Sequence, residues 1–143
     1  MHRLGFEKKN ITELITILKS HKNSIKIKSI LSHLAASENP THDKFTKLQI
    51  SLFERLCKMI VDAIGYKPLC HILNSGGIIR FPENQMDMVR LGIGLYGIDE
   101  SGILQHQLQT VNTLKATISQ IKKIKKGETI GYGRMGKAIQ KMR

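Results

Sequence analysis

No tryptophan occurs in the 143 residues, and tyrosine and phenylalanine together leave aromatics at only 5%. That poverty speaks against a surface that stacks bases on aromatic rings, despite 23 Lys and Arg against 11 Asp and Glu and a net charge of +12. The lysines are dispersed in runs such as KK, KIK and KKIKK, without zinc-finger or helix-turn-helix spacing. A Lys-rich solvated surface is the plainer reading, so no nucleic-acid partner is expected. Two cysteines, Cys57 and Cys70, are too few for a disulfide framework and lack metal-ligand spacing, so no metal site is expected. They fit a reducing cytoplasm. No apolar run has the length to span a bilayer, and the opening MHRLGFEKKN has no hydrophobic stretch of the kind a signal peptide needs. The expectation is a soluble cytoplasmic chain with no membrane partner.

What is present is ordered α/β patterning. NITELITILKS predicts a short amphipathic helix with Asn10 as its cap, Glu13 three residues on, and Ile11, Leu14, Ile15 and Leu18 on one face. SIKIKSILSHLA alternates and then turns apolar up to His33, as a strand entering a buried sheet does. A longer helix follows, with Phe45, Leu48, Leu52, Leu56, Met59, Ile60 and Ala63 near a 3.6-residue period and Gly65 where a C-terminal cap is wanted. KPLCHILNSGG predicts a second strand ending in a tight turn, and MDMVRLGIGLYG a third. Strands separated by helices mean a parallel sheet. The polar stretch DESGILQHQLQTVN resembles a linker. Beyond it, near residue 110, TLKATISQIKKI sets Leu114, Ala116 and Ile118 against Lys115, Thr117 and Ser119, the pattern of a sheet with one wet face. Three parallel strands and the start of a second domain leave both sheet edges unpaired, so the chain is expected to be an excerpt.

Parallel α/β folds build their sites at the carboxyl ends of strands. His33, Asn74 with Ser75, and Arg90 with Gly92 all fall there. Singly each has a bland explanation: a hydrogen-bonded structural histidine, a turn whose glycines take positive φ, and a buried strand with glycine for close packing. Together, a serine hydroxyl and exposed backbone N–H groups at neighbouring strand ends make an anion-binding nest. Arg90, within an otherwise apolar stretch, is costly to bury alone and must face something polar.

The blocks MHRLGF, SHLAAS, HILNSGG, MDMVRLGIGLYG and KKGETIGYGR, in this order and at these intervals, resemble alanine racemase, the pyridoxal-phosphate enzyme that interconverts L- and D-alanine. The likeness runs from the first residues to about Arg134. It also resembles, more loosely, racemases fused behind a cell-wall amino-acid ligase. The resemblance implies the C-terminal part of a TIM-type (β/α)8 barrel over residues 1–105, about strands five to eight, and the opening of a C-terminal β domain over residues 106–143. Met1 is then internal to a longer enzyme. It further implies a cytoplasmic homodimer whose site is shared between subunits, and a product, D-alanine, that supplies peptidoglycan.

Roles follow from the same resemblance, residue by residue. Arg3 matches the arginine on the substrate carboxylate. Ser75, with the backbone of Gly92 and Ile93, matches the cofactor-phosphate site. Arg90 matches the arginine facing the pyridine nitrogen; an arginine keeps its proton near neutral pH, leaves that nitrogen unprotonated and weakens the ring as an electron sink. Tyr132 matches the proton acceptor at Cα, reaching across from the other subunit, and His33 the histidine between that tyrosine and the arginine. The second base of a two-base mechanism is, in this family, the lysine that forms the cofactor aldimine, and no lysine here sits in that motif. The 143-residue chain alone is therefore expected to be inactive. Alternatives on the same scaffold are a racemase for serine or lysine and a non-catalytic pyridoxal-phosphate carrier; carriers lack a β domain, which TLKATISQIKKIKKGETIGYGR argues against.

Overall fold

The computed structural model describes residues 3–143 and divides into two compact units, Met1–Asn112 and Thr113–Arg143. Met1 and His2, and with them the expectation that Met1 is internal, lie outside the described residues.

The first unit opens with helix α1 (Ile11–Ser20), which buries Ile11 and Leu18. Asn10 does not cap it. Its backbone is already helical, at φ −84 and ψ −13, because a 3-10 turn over Lys8–Asn10 leads straight into α1. The Asn10 carboxamide instead accepts from the Glu7 N–H at 3.1 Å, so the cap lies one turn earlier than expected.

Helix α2 (Asp43–Ile64) ends, as its sequence predicts, on Gly65 in the left-handed region at φ 78. Its buried face overlaps the expected one in part: Ile60 is buried and Leu52, Leu56 and Ala63 are half-buried, as expected, but the rest of the face is turned. Thr46, Ile50, Phe53, Cys57 and Ile60 point inward, while Phe45 and Leu48 are 52% and 62% exposed. The helix is apolar on two adjacent faces, and burial selects the one carrying the smaller Thr46 and Cys57, which allow close approach to the sheet. We therefore expect Ile50→Val to cost about 0.5–1.5 kcal/mol in urea unfolding and Leu48→Ala to stay within about 0.5 kcal/mol. The reverse order of costs would reinstate the other face.

Strands β1 (Ser29–Leu31) and β2 (Leu69–His71) pair in parallel, with Ile30 opposite Cys70. Ile30 and Cys70 pack toward α2, in a core with Leu34, Phe53, Ile72, Leu73 and Phe81. A second cluster joins Ile11 and Leu18 of α1 to Ile60 of α2. After β2, Asn74 caps the short helix α3 (Ser75–Arg80) through its carboxamide oxygen, which accepts from the Gly77 N–H at 3.0 Å. The tight turn expected at NSGG is thus a helix start. Gly77 serves packing, since a Cβ there would lie 2.9 Å from a Leu34 methyl.

The third expected strand, MDMVRLGIGLYG, does not form as a strand. Its backbone touches β2 and the residues after it twice, Asp87 N–H to Cys70 O at 3.1 Å and Arg90 N–H to Leu73 O at 3.0 Å. The three-residue step between those bonds breaks the period-two ladder that a strand requires. Nor is the following stretch a loose linker. Asp99 is buried and its carboxylate accepts from the Ser101 N–H and hydroxyl and from the Leu104 N–H, while Gln105 bridges Asp99 N–H and Gly97 O. Burial raises the Asp99 pKa, but these hydrogen bonds outweigh it and hold the carboxyl below the usual range.

The second unit is a small antiparallel hairpin, β3 (Thr129–Ile130) with β4 (Gly136–Lys137), extended by a bridge between Ile124 and Met142. The strand expected over TLKATISQIKKI is absent, and Leu114, Ile118 and Ile121 are exposed. Alternation alone cannot make a strand where, among the described residues, no neighbour completes the ladder. No helix among the described residues is long and apolar enough to cross a membrane.

Candidate functional site

β1 and β2 run side by side, so their carboxyl ends bring residues 32–33 next to residues 71–73. Arg90 enters this point from the irregular segment after α3. One guanidinium nitrogen donates to the His71 carbonyl at 3.2 Å and meets the His71 Nδ1; the other donates to the carbonyls of Ser32 and of Ile72, the latter at 3.3 Å, and lies 3.4 Å from the His33 Nδ1. The polar surroundings expected for Arg90 are therefore strand-end carbonyls and two imidazoles.

The electrostatics follow from that geometry. Burial, and then the Arg90 charge, hold both His33 and His71 below the ordinary imidazole value, with Arg3 adding to the effect on His33. A guanidinium N–H needs an acceptor, so the His71 Nδ1 facing Arg90 is the unprotonated nitrogen. Protonation would set a donor and a second positive charge against the first. Each imidazole binds its proton more weakly when folded than when unfolded, so its contribution to stability is complete above about pH 6.5 and is lost as the pH falls below that. The urea midpoint is expected to drop between about pH 7.5 and pH 5, and His71→Gln to flatten the drop. A midpoint independent of pH over this range would mean that the imidazoles are not constrained as described.

Beside this cluster lies Ser75, the first residue of α3. Its hydroxyl oxygen accepts from the Gly92 N–H at 2.9 Å and from the Gly94 N–H at 3.1 Å. The Ile93 N–H, at the first residue of the 3-10 turn Ile93–Tyr96, meets no acceptor among the described residues. With the Gly92 and Gly94 N–H groups taken by the Ser75 oxygen, the donors left here are the Ser75 hydroxyl proton and the Ile93 N–H, a pair that an anion could accept from. A Cβ on Gly92 or Gly94 would lie 3.7 or 3.5 Å from the Ser75 Oγ, ordinary contact distances, and on Gly94 it would meet a Leu91 methyl at 2.6 Å, which that flexible side chain would have to vacate.

Of the residues singled out from the sequence, His33 and Arg90 lie together, and so do Ser75 and Gly92. Arg3 is exposed, though near enough to His33 to act on its charge. Tyr132 stands in the second unit at the tip of its hairpin, fully exposed, between Gly131 and Gly133, both at positive φ. Two participants were missed, His71 and Gly94. His71 carried a signal: it is the one polar side chain in the apolar run LCHIL. Gly94 carried none beyond a common GxG.

Residues 1–100 match the family described as alanine racemase, N-terminal domain. Among curated relatives, alanine racemase of Treponema denticola is 36% identical over 139 residues, covering 94% of this chain and 36% of the relative. Alanine racemase of Shewanella sediminis is 34% identical over 138 residues, covering 93% of this chain and 36% of the relative. Among solved structures, alanine racemase from Bartonella henselae with covalently bound pyridoxal phosphate aligns with a TM-score of 0.66 at 32% identity, covering 99% of this chain and 37% of that one. The Acinetobacter baumannii alanine racemase aligns with a TM-score of 0.64 at 30% identity, covering 99% and 38%. The chain thus spans a little over a third of the length of these relatives, and His33, Ser75 and Arg90 all lie within the matched residues. By that match, the chain belongs to the family of the alanine racemase N-terminal domain.

Proposed function

We propose that this chain contributes one side of the active site of a pyridoxal-phosphate-dependent alanine racemase, with residues 1–105 as the last strands of a (β/α)8 barrel and residues 106–143 as the opening of a β domain. The observation that carries the reading is the juxtaposition at the strand ends: a guanidinium backed by two imidazoles beside a serine and its backbone N–H groups. The barrel reading draws support from the sheet. Ile30 and Cys70 pack on α2, whereas Leu31 and Leu69, on the other face, are 59% and 51% exposed. Parallel sheets are usually covered on both faces, and a barrel interior accounts for the second.

The donor set fits the cofactor. Ser75, whose oxygen holds the Gly92 and Gly94 N–H groups, keeps its hydroxyl proton, with the Ile93 N–H beside it, for a phosphate oxygen, and the Nε–H of Arg90 is the donor left for a pyridine nitrogen that accepts a hydrogen bond. When bound, pyridoxal phosphate supplies an electron-withdrawing ring that acidifies the substrate Cα–H. Because Arg90 keeps its proton near neutral pH, it donates to the ring nitrogen without protonating it, which restrains that withdrawal and favours simple proton return over side reactions. Arg3 offers a planar pair of donors to the carboxylate of alanine.

Tyr132 is proposed to take or return the Cα proton on one face, from the partner subunit of a homodimer. A free phenol has a pKa near about 10 and needs assistance to act as a base. His33, next to Arg90, is proposed to give this assistance: the cation keeps the imidazole neutral with its Nδ1 toward the guanidinium, which leaves Nε2–H to donate a hydrogen bond to the phenolate oxygen and so favour the deprotonated phenol. The proton on the opposite face belongs to a group that no lysine of this sequence supplies by motif. D-alanine for peptidoglycan is the product this reading implies.

Ser75 offers the direct test. In a racemase that contains this segment, Ser75→Ala is expected to weaken pyridoxal-phosphate binding by about 10–100-fold, the loss of one charge-assisted hydrogen bond of about 1.5–3 kcal/mol. Absorbance titration of the cofactor reads the change. Unaltered affinity would remove the phosphate from Ser75.

A further inference from the structure

The loop that carries His33 away from β1 is held in an unusual way. Between His33 and Ser37 its backbone groups are taken mainly by side chains of other elements. The Leu34 carbonyl accepts from the Asn74 carboxamide at 3.4 Å, the Ala36 carbonyl from the Thr46 hydroxyl at 3.5 Å, and the Ser37 carbonyl from the Arg80 guanidinium at 2.8 Å. Gln49 of α2 does two things at once. Its amide nitrogen donates to the His33 carbonyl at 2.6 Å, and its amide oxygen accepts from the Ala35 N–H at 3.2 Å.

We propose that Gln49 is the positioning residue for His33: its single carboxamide clamps the backbone on both sides of Leu34 and thereby fixes where the imidazole stands relative to Arg90. The inference rests on the racemase reading for its catalytic meaning, but the clamp itself is independent of it. Glutamine is the residue type the clamp calls for, because the carbonyl needs a donor and the N–H an acceptor on one planar group. Glutamate could serve only the N–H, and methionine, of similar length, neither. Leu34 is buried, so loss of the clamp leaves the loop anchored by its side chain while releasing the backbone that aims His33.

The consequence is specific to one of the two imidazoles. His33 lies in the clamped loop, whereas His71 ends β2 and is held through its own ladder pairing with Leu31. Burial, Arg90 and Arg3 all disfavour a proton on His33, so an imidazole that swings away from them takes its proton more readily.

The test is a pH titration of the histidine Cε1–H resonances in the 143-residue chain and in Gln49→Met. The expected result is a His33 midpoint below about 6.5 in the original chain that rises toward that value in Gln49→Met, with the His71 midpoint unmoved. A role confined to stability lowers the unfolding midpoint without moving His33. An unmoved His33 in a folded Gln49→Met chain overturns the proposal, and equal movement of both histidines overturns it too, because the site has then loosened as a whole. Should Gln49→Met not fold, Gln49→Asn, one methylene shorter, reads the same two midpoints. Absence of alanine racemisation in a longer protein would sink the functional reading and leave this titration result untouched.

Discussion

Tyr132→Phe, introduced into a racemase that contains this segment, is expected to slow Cα proton exchange from one enantiomer of alanine by about 10²–10⁴-fold, the usual weight of a positioned acid–base group. Exchange from the other enantiomer should persist, because its proton lies on the opposite face and is taken by a different base. Cofactor affinity should hardly change. The substitution deletes one oxygen from a side chain that is fully exposed at a hairpin tip, where the positive φ of Gly131 and Gly133 lets the chain turn sharply around it. No packing is lost, so the kinetic effect stands apart from any effect on folding. Equal exchange from both enantiomers at the unsubstituted rate would dismiss Tyr132 as the proton acceptor.

Arg90→Leu is expected to destabilise the chain by about 3–5 kcal/mol in urea unfolding, since buried carbonyls deprived of a donor cost about 1–3 kcal/mol each. The Ile72 carbonyl, on a wholly buried residue, and the Ser32 carbonyl accept from this guanidinium and would lose their donor, whereas the His71 carbonyl keeps the Ser32 N–H. Arg90→Lys should recover only part of the loss, because a single ammonium cannot reach three carbonyls in the fork geometry of an arginine. The same substitution to leucine should raise the titration midpoints of His33 and His71 together, in contrast to the selective effect predicted for Gln49→Met. A loss below about 1 kcal/mol would mean that water replaces the guanidinium and that Arg90 does not organise the strand ends.

These predictions show where sequence reasoning succeeds and where it stops. Helices α1 and α2 were legible because both are long enough to show a 3.6-residue period, and Gly65 marked the end of α2 through its left-handed backbone. The orientation of α2 was not. Phe45, Leu48 and Met59 are as apolar as the side chains that are buried, and only the position of the sheet chooses between the two faces. The segment around Arg90 reads as a strand by composition, yet its hydrogen bonds to the chain around β2 skip the register a ladder needs. Residues 113–123 alternate as a strand should, and alternation without a partner leaves them without regular structure and exposed.

The site was more legible than the sheet. Ser75 with Gly92, and His33 with Arg90, were expected at neighbouring strand ends, and hydrogen bonds join each pair. His71 escaped because a histidine inside an apolar run looks the same whether it supports a guanidinium or merely satisfies itself in a core. Gln49 escaped for a different reason. Its partners are backbone groups 14 and 16 residues away, and no sequence pattern encodes a side chain that holds another segment's peptide bonds.

The most direct measurement is deuterium incorporation at Cα of L- and D-alanine, with pyridoxal phosphate added, for this chain and for the same sequence extended on both sides to the length of its relatives. The account predicts exchange and racemisation in the extended protein and neither in the 143-residue chain, for which no lysine is proposed as the second base. Exchange by the 143-residue chain alone, or none in the extended protein, would contradict it.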